Sequence, residues 1–377
     1  MNVPFVDLKR AHDPLRAALH AAVTGVMDDA HYILGPSVTR LEDAFARFLG
    51  VAHAVGVSNG TDALRIALET FRRIRGNGSV ITTPYTFFAT AETVAAAGLD
   101  VVFVDVDPDT ACMDPRLALS RIDGSTRGIL PVHLFGQCAD MDPLLAAARD
   151  RGLFLVEDVA QAFGARYRGR PAGAMGDMSC FSFFPSKNLG GAGDGGMVCT
   201  SDSALAAHLR SARAHGSAGK KYHHDFLSGN YRLDEIQAAI LAVKLPHVEE
   251  WNRQRAAIGR SYDRMLEQAG LVAGGQVRPL AVTLGSDHVY HQYVVRAERR
   301  DALAAHLSAA GVGNAVYYAV PLHVQKAFAY LGHAAEDFPV SMSLSRTCIA
   351  LPVFPGLSQQ EQEAVVDSIV RFYGRHA

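Results

Sequence analysis

One stretch of the sequence decides the predicted fold: Ser179-Cys180-Phe181-Ser182-Phe183-Phe184-Pro185-Ser186-Lys187-Asn188-Leu189-Gly190-Gly191. An apolar, aromatic strand leads into a Ser-Lys pair and then into glycines. A lysine at the mouth of a buried strand is partly removed from water, which lowers its pKa and makes the amine nucleophilic. Schiff-base chemistry needs such a lysine, although a lysine beside a loop is more often a solvated charge.

Short strand-like runs alternate with helical patterns on both sides of this stretch. The predicted strands are 53–57, 79–83, 101–105, 128–134, 154–158, 178–183 and 197–200. Helices are predicted at 62–73 and 141–151, and in the first of them Leu64, Ala67, Leu68 and Phe71 form one apolar face. This alternation predicts an α/β fold with a mostly parallel, seven-stranded sheet between helices. Functional residues are expected just past the carboxyl ends of the strands.

The pattern changes after Leu233. A long helix is predicted at 234–268, bent near Pro246, followed by a loop at 274–285. Further predictions are a strand at 288–296, a helix at 300–310, a strand at 312–317 and a helix at 359–372. We therefore predict a large domain, 1–245, and a smaller C-terminal α/β domain, 246–377. Residues 1–30 are expected to pack on the small domain or on a partner subunit.

Composition excludes several classes of protein. The 377 residues are 49% hydrophobic and 20% charged, with a net charge of -2, which is ordinary globular composition without a basic or acidic bias. Neither nucleic acid nor a membrane is expected as a partner. Five scattered cysteines without a CxxC pair argue against a zinc ribbon or a disulfide framework. Without a signal peptide or an apolar span, the chain is expected to be a cytoplasmic, soluble protein.

Two further segments carry polar groups at strand ends. Gly60 and Thr61 follow a strand and open a helix, which suits either a phosphate cradle or an ordinary helix cap. Asp158 ends a buried strand, and it is either another cap or a partner for a cationic ring nitrogen. A phosphate cradle, a carboxylate and a lysine, in this order along an α/β chain, describe a site for pyridoxal phosphate.

Two other patterns are interpreted without a ligand. Residues 191–196 spell GxGxxG, but a dinucleotide fingerprint follows a strand and opens a helix. Here the glycines precede the predicted strand 197–200, so we interpret them as a flexible loop. His215 and the pair His223-His224 lack a second cluster at ligand spacing, so no metal site is predicted.

Several motifs together carry a family resemblance. They are VPFVDL at 3–8, SNGTDAL at 58–64, TPYTFFAT at 83–90, EDVAQAFGA at 157–165, FSFFPSKNL at 181–189, GNYRLDEIQAA at 229–239 and PLH at 321–323. In these motifs the chain resembles the nucleotide-sugar aminotransferases, the DegT/StrS-like proteins among the fold-type I enzymes that use pyridoxal 5'-phosphate. The resemblance runs nearly end to end.

The resemblance implies a role for each matching residue. Lys187 would form the Schiff base and Asp158 would pair with the pyridine nitrogen. The other implied cofactor contacts are Gln161 beside the ring hydroxyl, Phe87 on a ring face, and Gly60, Thr61 and Ser182 at the phosphate. Asn230 would reach the phosphate of the neighbouring subunit, which implies a homodimer with shared active sites. The acceptor candidates are Arg232, Tyr318, His323 and His215.

The same resemblance implies the reaction. An amino acid, L-glutamate, would donate its amino group through the cofactor to a keto group of a nucleoside-diphosphate-linked keto-deoxysugar. The Arg232-Leu233-Asp234 version of its motif resembles enzymes that aminate C3. Amination of C4, a pyridoxal-phosphate-binding relative without transaminase activity, and a dinucleotide-dependent enzyme are the alternatives. The nucleotide, the sugar and the pathway product are not encoded in any motif.

Overall fold

A computed structural model describes residues 2–217, 219 and 222–374 of the chain. Its strands are β1 His53–Val57, β2 Ser79–Thr82, β3 Asp100–Phe103, β4 Thr126–Ile129, β5 Phe154–Asp158, β6 Arg166–Tyr167, β7 Arg170–Pro171, β8 Met178–Ser182, β9 Gly196–Thr200, β10 Val277–Pro279, β11 Ser286–Asp287, β12 Tyr293–Ala297 and β13 Cys348–Leu351. Its α-helices are α1 Leu8–His12, α2 Arg16–Asp29, α3 Pro36–Leu49, α4 Gly60–Arg75, α5 Phe88–Ala96, α6 Pro115–Ser120, α7 Met141–Arg151, α8 Ser203–Ala212, α9 Glu235–Lys244, α10 Val248–Gln268, α11 Arg300–Ala309, α12 Pro339–Thr347 and α13 Gln359–Phe372. Within these ranges, no helix has the length and apolarity needed to cross a membrane.

In the described part of the chain, seven strands form one central sheet in the order β1-β9-β8-β5-β4-β2-β3. The five strands from β8 to β3 run parallel, whereas β9 is antiparallel to both of its neighbours. Each of these strands overlaps a predicted one, and the predicted α/β fold with a mostly parallel sheet is confirmed. The strands read as continuous apolar runs because both faces of the sheet are covered.

Helices cover the two faces of the central sheet. On one face α4, α5 and α8 pack against side chains such as Val156, which shares its cluster with Leu64. On the other face α3, α7 and α9 pack against the alternate residues, and Leu155 shares that cluster with Phe45. Successive residues of a strand point to opposite faces, so each buried strand contributes to both cores. The sheet is therefore held rigidly, and its carboxyl edge is a fixed platform for polar side chains.

A third apolar cluster lies in the C-terminal part of the chain, around the antiparallel strands β10, β12 and β13. Val3 belongs to this cluster and pairs with Val312. Arg10 continues the attachment through two hydrogen bonds of 2.7 Å to the carboxylate of Glu361. Val3 and Arg10 thus lie against the C-terminal cluster, whereas α2 packs on α9, and the expected packing of residues 1–30 stays a prediction. The division at 245/246 stays a prediction.

Two of the predicted C-terminal strands need correction. The prediction of a strand at 312–317 was wrong, because this segment forms only isolated bridges, from Val312 to Val3 and from Ala315 to Ala350. It alternates between two partners and builds no continuous ladder. The strand predicted at 288–296 begins only at Tyr293, since Tyr290 adopts φ 43° and bends the chain. The long helix is interrupted at Leu245–His247, close to where Pro246 predicted it.

Candidate active site

A cavity of about 490 Å³ lies at the carboxyl ends of the sheet strands. It is lined by eight of the residues predicted for the site: Gly60, Thr61, Phe87, Asp158, Gln161, Ser182, Lys187 and Tyr318. They come from separate strand ends and loops, spread over about two thirds of the sequence. Parallel strands direct their carboxyl ends to one edge of the sheet, and this brings the residues together.

Asp158 ends β5 and is only 5% exposed. Its Oδ2 accepts a hydrogen bond from Thr90 Oγ1 at 2.9 Å, and its Oδ1 accepts one from the amide of Ala160 at 3.2 Å. Burial raises the pKa of Asp158, whereas these hydrogen bonds and the charge of Lys187 act in the opposite direction. The carboxylate thus has fixed donors on its protein side and faces the cavity, where a cationic group would stabilise it.

Lys187 lies in the turn that follows β8, and it is half-buried. Its amide donates to the carbonyl of Phe184 at 2.8 Å, which tightens this turn. Burial lowers the pKa of Lys187 to about 8, against the opposing attraction of Asp158. About one such amine in ten is therefore unprotonated at pH 7, far more than for a solvated lysine. The side chain suits a nucleophilic amine.

The N-terminus of α4 forms another wall of the cavity. Asn59 caps the helix by accepting from the amide of Asp62, and the amides of Gly60 and Thr61 donate to no other group in the described ranges. A side chain on Gly60 would place its Cβ 2.6 Å from Cβ of Ser182, so only glycine allows this approach. Two amides at a helix start, with hydroxyls of Thr61 and Ser182 alongside, form a cradle suited to a phosphate.

The chain matches a known protein family over nearly its whole length. The model of the DegT/DnrJ/EryC1/StrS aminotransferase family matches residues 14–370. The chain belongs to this family. It is 44% identical, over all of both chains, to a pleiotropic regulatory protein of Geobacillus stearothermophilus. It is 42% identical to dTDP-3-amino-3,4,6-trideoxy-alpha-D-glucose transaminase of Streptomyces venezuelae, over 98% of this chain and 95% of the relative.

Among solved structures, DesV of S. venezuelae in complex with a ketimine intermediate aligns over all of both chains, with a TM-score of 0.94 and 40% identity. This chain is accordingly an aminotransferase of the DegT/DnrJ/EryC1/StrS family, whose cofactor is pyridoxal 5'-phosphate. The donor set of the cavity fits that cofactor: an amine of lowered pKa, a buried carboxylate and a helix start that only glycine can form.

Two more predicted cofactor contacts have defined positions in this aminotransferase. Gln161 is 7% exposed, and its Oε1 accepts from the amide of Phe135 at 2.9 Å. Its Nε2 donates to the hydroxyl of Tyr318 at 2.7 Å. A residue predicted to contact the cofactor is thus hydrogen-bonded to one predicted to contact the acceptor sugar. Phe87 is 58% exposed and immediately precedes α5, so its ring is available to a ligand in the cavity.

Four predicted residues lie outside the cavity of a single chain. Asn230 pairs with Ala214 and Arg232 with Val57, both in isolated bridges near β1 and α8. His215 stands next to His224 on the loop that leads to Asn230. His323 is 2% exposed, its Nε2 lies 3.4 Å from the carbonyl of Ala335, and its ring packs on Phe338. The structure does not bring these side chains to Lys187, and their roles stay predictions.

Sequence reasoning missed other residues at the cavity. Thr90, in the first turn of α5, lies behind the lining and donates to Asp158, and its place in the TPYTFFAT motif at 83–90 was the available signal. His291 is 6% exposed and lines the cavity, and burial together with the charges of Lys187 and Arg255 lowers its pKa. No motif marked His291, because it reaches the site through the distant segment before β12.

A buried network of hydrogen bonds supports the strand that carries Asp158. Glu157 accepts from His133 Nε2 at 2.9 Å and from the amides of Gly173, Met175 and Gly176. His133 Nδ1 accepts from the amide of Ala139, so the Nε2 proton points to the carboxylate. Burial raises the pKa of Glu157, but these donors outweigh it and the net direction is downward. The end of β5 is thus anchored on the side away from Asp158.

Proposed function

We propose that this aminotransferase moves an amino group from L-glutamate to the keto group at C3 of a nucleoside-diphosphate-linked keto-deoxysugar. The observation that carries the proposal is the convergence of Lys187 and Asp158 in one cavity beside the cradle at Gly60. The name of the S. venezuelae relative, a 3-amino sugar transaminase, supports the sugar and its position. The Arg232-Leu233-Asp234 motif supports C3 as well.

The residues of the cavity have defined tasks in this proposal. Pyridoxal phosphate, when bound, supplies an electron sink and carries the amino group. The amine of Lys187 would hold it covalently, and the carboxylate of Asp158 would pair with its ring nitrogen. The amides of Gly60 and Thr61, with the hydroxyl of Ser182, would bind the phosphate. Gln161 would bind the edge of the ring that bears its hydroxyl, and Phe87 would cover one ring face.

Lys187 would have a second task during the transfer. Its amine would take up and release a proton, as general base and then general acid. The lowered pKa of Lys187 serves both directions, because a proton carrier is most effective when its pKa lies near the working pH. The buried walls of the cavity limit competing reaction with water.

For the acceptor sugar, Tyr318 is the candidate that the cavity supports best, since it lies in the lining and is bound by Gln161. Arg232, His323 and His215 stay candidates for the same role. A panel of 3-keto and 4-keto nucleotide sugars tests the position. Amination of 4-keto but not 3-keto sugars would contradict C3 and leave the C4 alternative.

The assembly we propose is a homodimer with shared active sites, in which Asn230 of a second copy reaches the phosphate. Phe184, which lines the cavity, is 53% exposed. Three loop residues are exposed as well: Tyr32 at 45%, Ile33 at 45% and Leu227 at 93%. Large apolar side chains exposed on one chain are often covered by a partner. A second copy would also explain why Asn230 lies outside the cavity of one chain.

The decisive test is the visible absorption spectrum of the purified protein before and after L-glutamate, with Lys187→Ala as the control. We expect a yellow band that bleaches with L-glutamate only when Lys187 is present. A colourless protein that takes up no added pyridoxal phosphate would overturn the proposal. A yellow protein that responds to no amino acid would favour the non-transaminating alternative. That alternative agrees with the name of the Geobacillus relative, a pleiotropic regulatory protein.

A further inference from the structure

The backbone that follows Lys187 is held by polar side chains of two helices remote from the cavity lining. Gln237 Oε1, on α9, accepts from the amide of Ala192 at 2.8 Å. Lys244 Nζ, at the end of the same helix, donates to the carbonyl of Gly190 at 2.7 Å. Asn252 Oδ1, on α10, accepts from Asn188 Nδ2 at 2.6 Å. Three consecutive contacts thus hold residues 188–192, directly after the lysine.

The burial of Lys244 against a backbone carbonyl is energetically unfavourable. Its side chain is 2% exposed, and burial lowers its pKa to about 8. In the described ranges it has one hydrogen bond, to Gly190, and no carboxylate partner. Removing an ammonium group from water is strongly unfavourable unless it is paired, and here the partner is a neutral carbonyl. Stability alone therefore does not account for Lys244.

The position of Lys244 relative to Lys187 accounts for a buried lysine at this point. Both line a small cavity of about 30 Å³, together with Asn188 and Gly190. This volume is about that of a single water molecule, so the space is too small for either side chain to move freely. The turn itself is equally tight, since a Cβ on Gly190 would lie 2.1 Å from the carbonyl oxygen of Pro185. A displacement of Gly190 would therefore be transmitted to Lys187.

We propose that Gln237, Lys244 and Asn252 are positioning residues that hold the segment 188–192, through two backbone groups and the side chain of Asn188, and so aim the amine of Lys187 into the cavity. The inference rests on the function proposed for Lys187. Gln237 and Lys244 lie seven residues apart on α9, two helical turns, so one rigid face presents both. Asn252 is in turn fixed by donating to the carbonyl of Phe163 at 3.0 Å. Lys244 is the central member, because it holds the carbonyl between the other two contacts.

The test compares Lys244→Met and Gln237→Leu with wild type by amide hydrogen exchange and by steady-state kinetics. Gln237→Glu retains an acceptor for Ala192 and should behave as wild type. Lys326→Met, at an exposed lysine outside the cavity lining, is the matched control. We expect exchange in peptides covering 188–193 to rise about tenfold or more in the first two variants, and only there. We expect kcat to fall about 10- to 100-fold with KM for L-glutamate changed less than about threefold, as for a misplaced catalytic group.

Unchanged exchange at 188–193, or faster exchange with unchanged kcat, would overturn the inference. An equal rise over the whole chain would also overturn it, since that would indicate a general loss of stability. Exchange is measured without substrate. A wild-type protein that transfers no amino group would thus refute the proposed function, while the local exchange still decides whether these side chains hold the segment.

Discussion

At the scale of single residues, burial and a few fixed partners give ordinary side chains their chemistry. Lys187 owes its lowered pKa to burial, and Asp158 owes its position to Thr90 and Ala160. Glu157, the neighbour of Asp158, has the opposite environment, with four donors that favour the charged form. Two adjacent carboxylates thus have pKa values shifted in opposite directions, because alternate side chains of a strand enter different surroundings.

The pKa of Lys187 leads to a pH prediction for the cofactor-free protein. Reaction of Lys187 with an amine-directed reagent should rise with pH and reach half its maximum near pH 8, because burial disfavours the ammonium form. Quantitative mass spectrometry of labelled peptides measures this, with the exposed Lys326 as reference. Identical curves for the two lysines would contradict the prediction.

At the scale of elements, the junctions between strands and helices build the site. The start of α4 approaches β8 so closely that Gly60 and Ser182 are in contact, and this approach forms the proposed phosphate cradle. The ends of the chain are joined by another junction, in which α1 meets α13 through Arg10 and Glu361. The first junction is possible because Gly60 has no side chain, and the second is made by the side chain of Arg10.

Gly60→Ala should weaken binding of pyridoxal phosphate by about tenfold or more. The new Cβ would lie 2.6 Å from Ser182, so α4 or β8 must move, and the cradle amides would move with it. A cofactor titration followed by absorbance measures the change. Gly124→Ala is the matched control, since a Cβ at Gly124 meets nothing within 4 Å. Equal affinities for the two variants would argue against a cradle at Gly60.

Arg10→Met should lower the free energy of unfolding by about 1–2 kcal/mol at pH 7, as expected for two charge-assisted hydrogen bonds that are partly exposed. Hydrogen bonding to Arg10 lowers the pKa of Glu361 from its ordinary 4.5 to about 2. Because the folded value is the lower one, this stabilisation is complete above pH 4.5 and is lost as pH falls towards 2.

Denaturant unfolding at several pH values measures that difference between wild type and Arg10→Met. The difference in the free energy of unfolding should shrink between pH 4.5 and 2. Arg16→Met serves as the control, since Arg16 and its partner Asp13 are both more than half exposed and their pairing should contribute less than about 1 kcal/mol. A difference independent of pH would show that Arg10 acts through packing on Phe354 or its bond to the Gly356 carbonyl rather than through Glu361.

At the scale of the whole molecule, one chain holds most of the proposed cofactor contacts but not all of them. Asn230, Arg232 and His215 lie around the loop between α8 and α9, away from the lining of the cavity. The proposed dimer reconciles this arrangement with the roles that the family resemblance implies. The assembly is therefore part of the functional hypothesis, and it can be tested through the active sites.

Mixing two inactive variants should restore activity if Asn230 acts across the interface. In a hybrid dimer of Lys187→Ala with Asn230→Ala, one of the two sites has both an intact Lys187 and an intact Asn230. Random re-association should therefore recover about a quarter of wild-type activity. Amino transfer assayed after denaturation and refolding of the mixture measures this. No recovery would place Asn230 in the site of its own chain or outside any site.

Much of this molecule could be predicted from local patterns. The seven strands of the sheet were predictable because apolar runs and helical periodicity depend on neighbours in sequence. The meeting of Lys187, Asp158 and Gly60 in one cavity was predictable because each stands at a strand end, where an α/β sheet collects its functional groups. The strand predicted at 312–317 failed because its apolar residues pair with Val3 and Ala350, which no local pattern can reveal.

The sequence by itself determined the fold class, the family and the order of the proposed cofactor residues along the chain, since these follow from short motifs and their spacing. Only the tertiary structure decided which side chains support them. Thr90 meets Asp158 across 68 residues, Lys244 meets Gly190 across 54, and Arg10 meets Glu361 across 351. Such contacts depend on how helices and strands pack, and packing joins residues whose separation in sequence carries no signal.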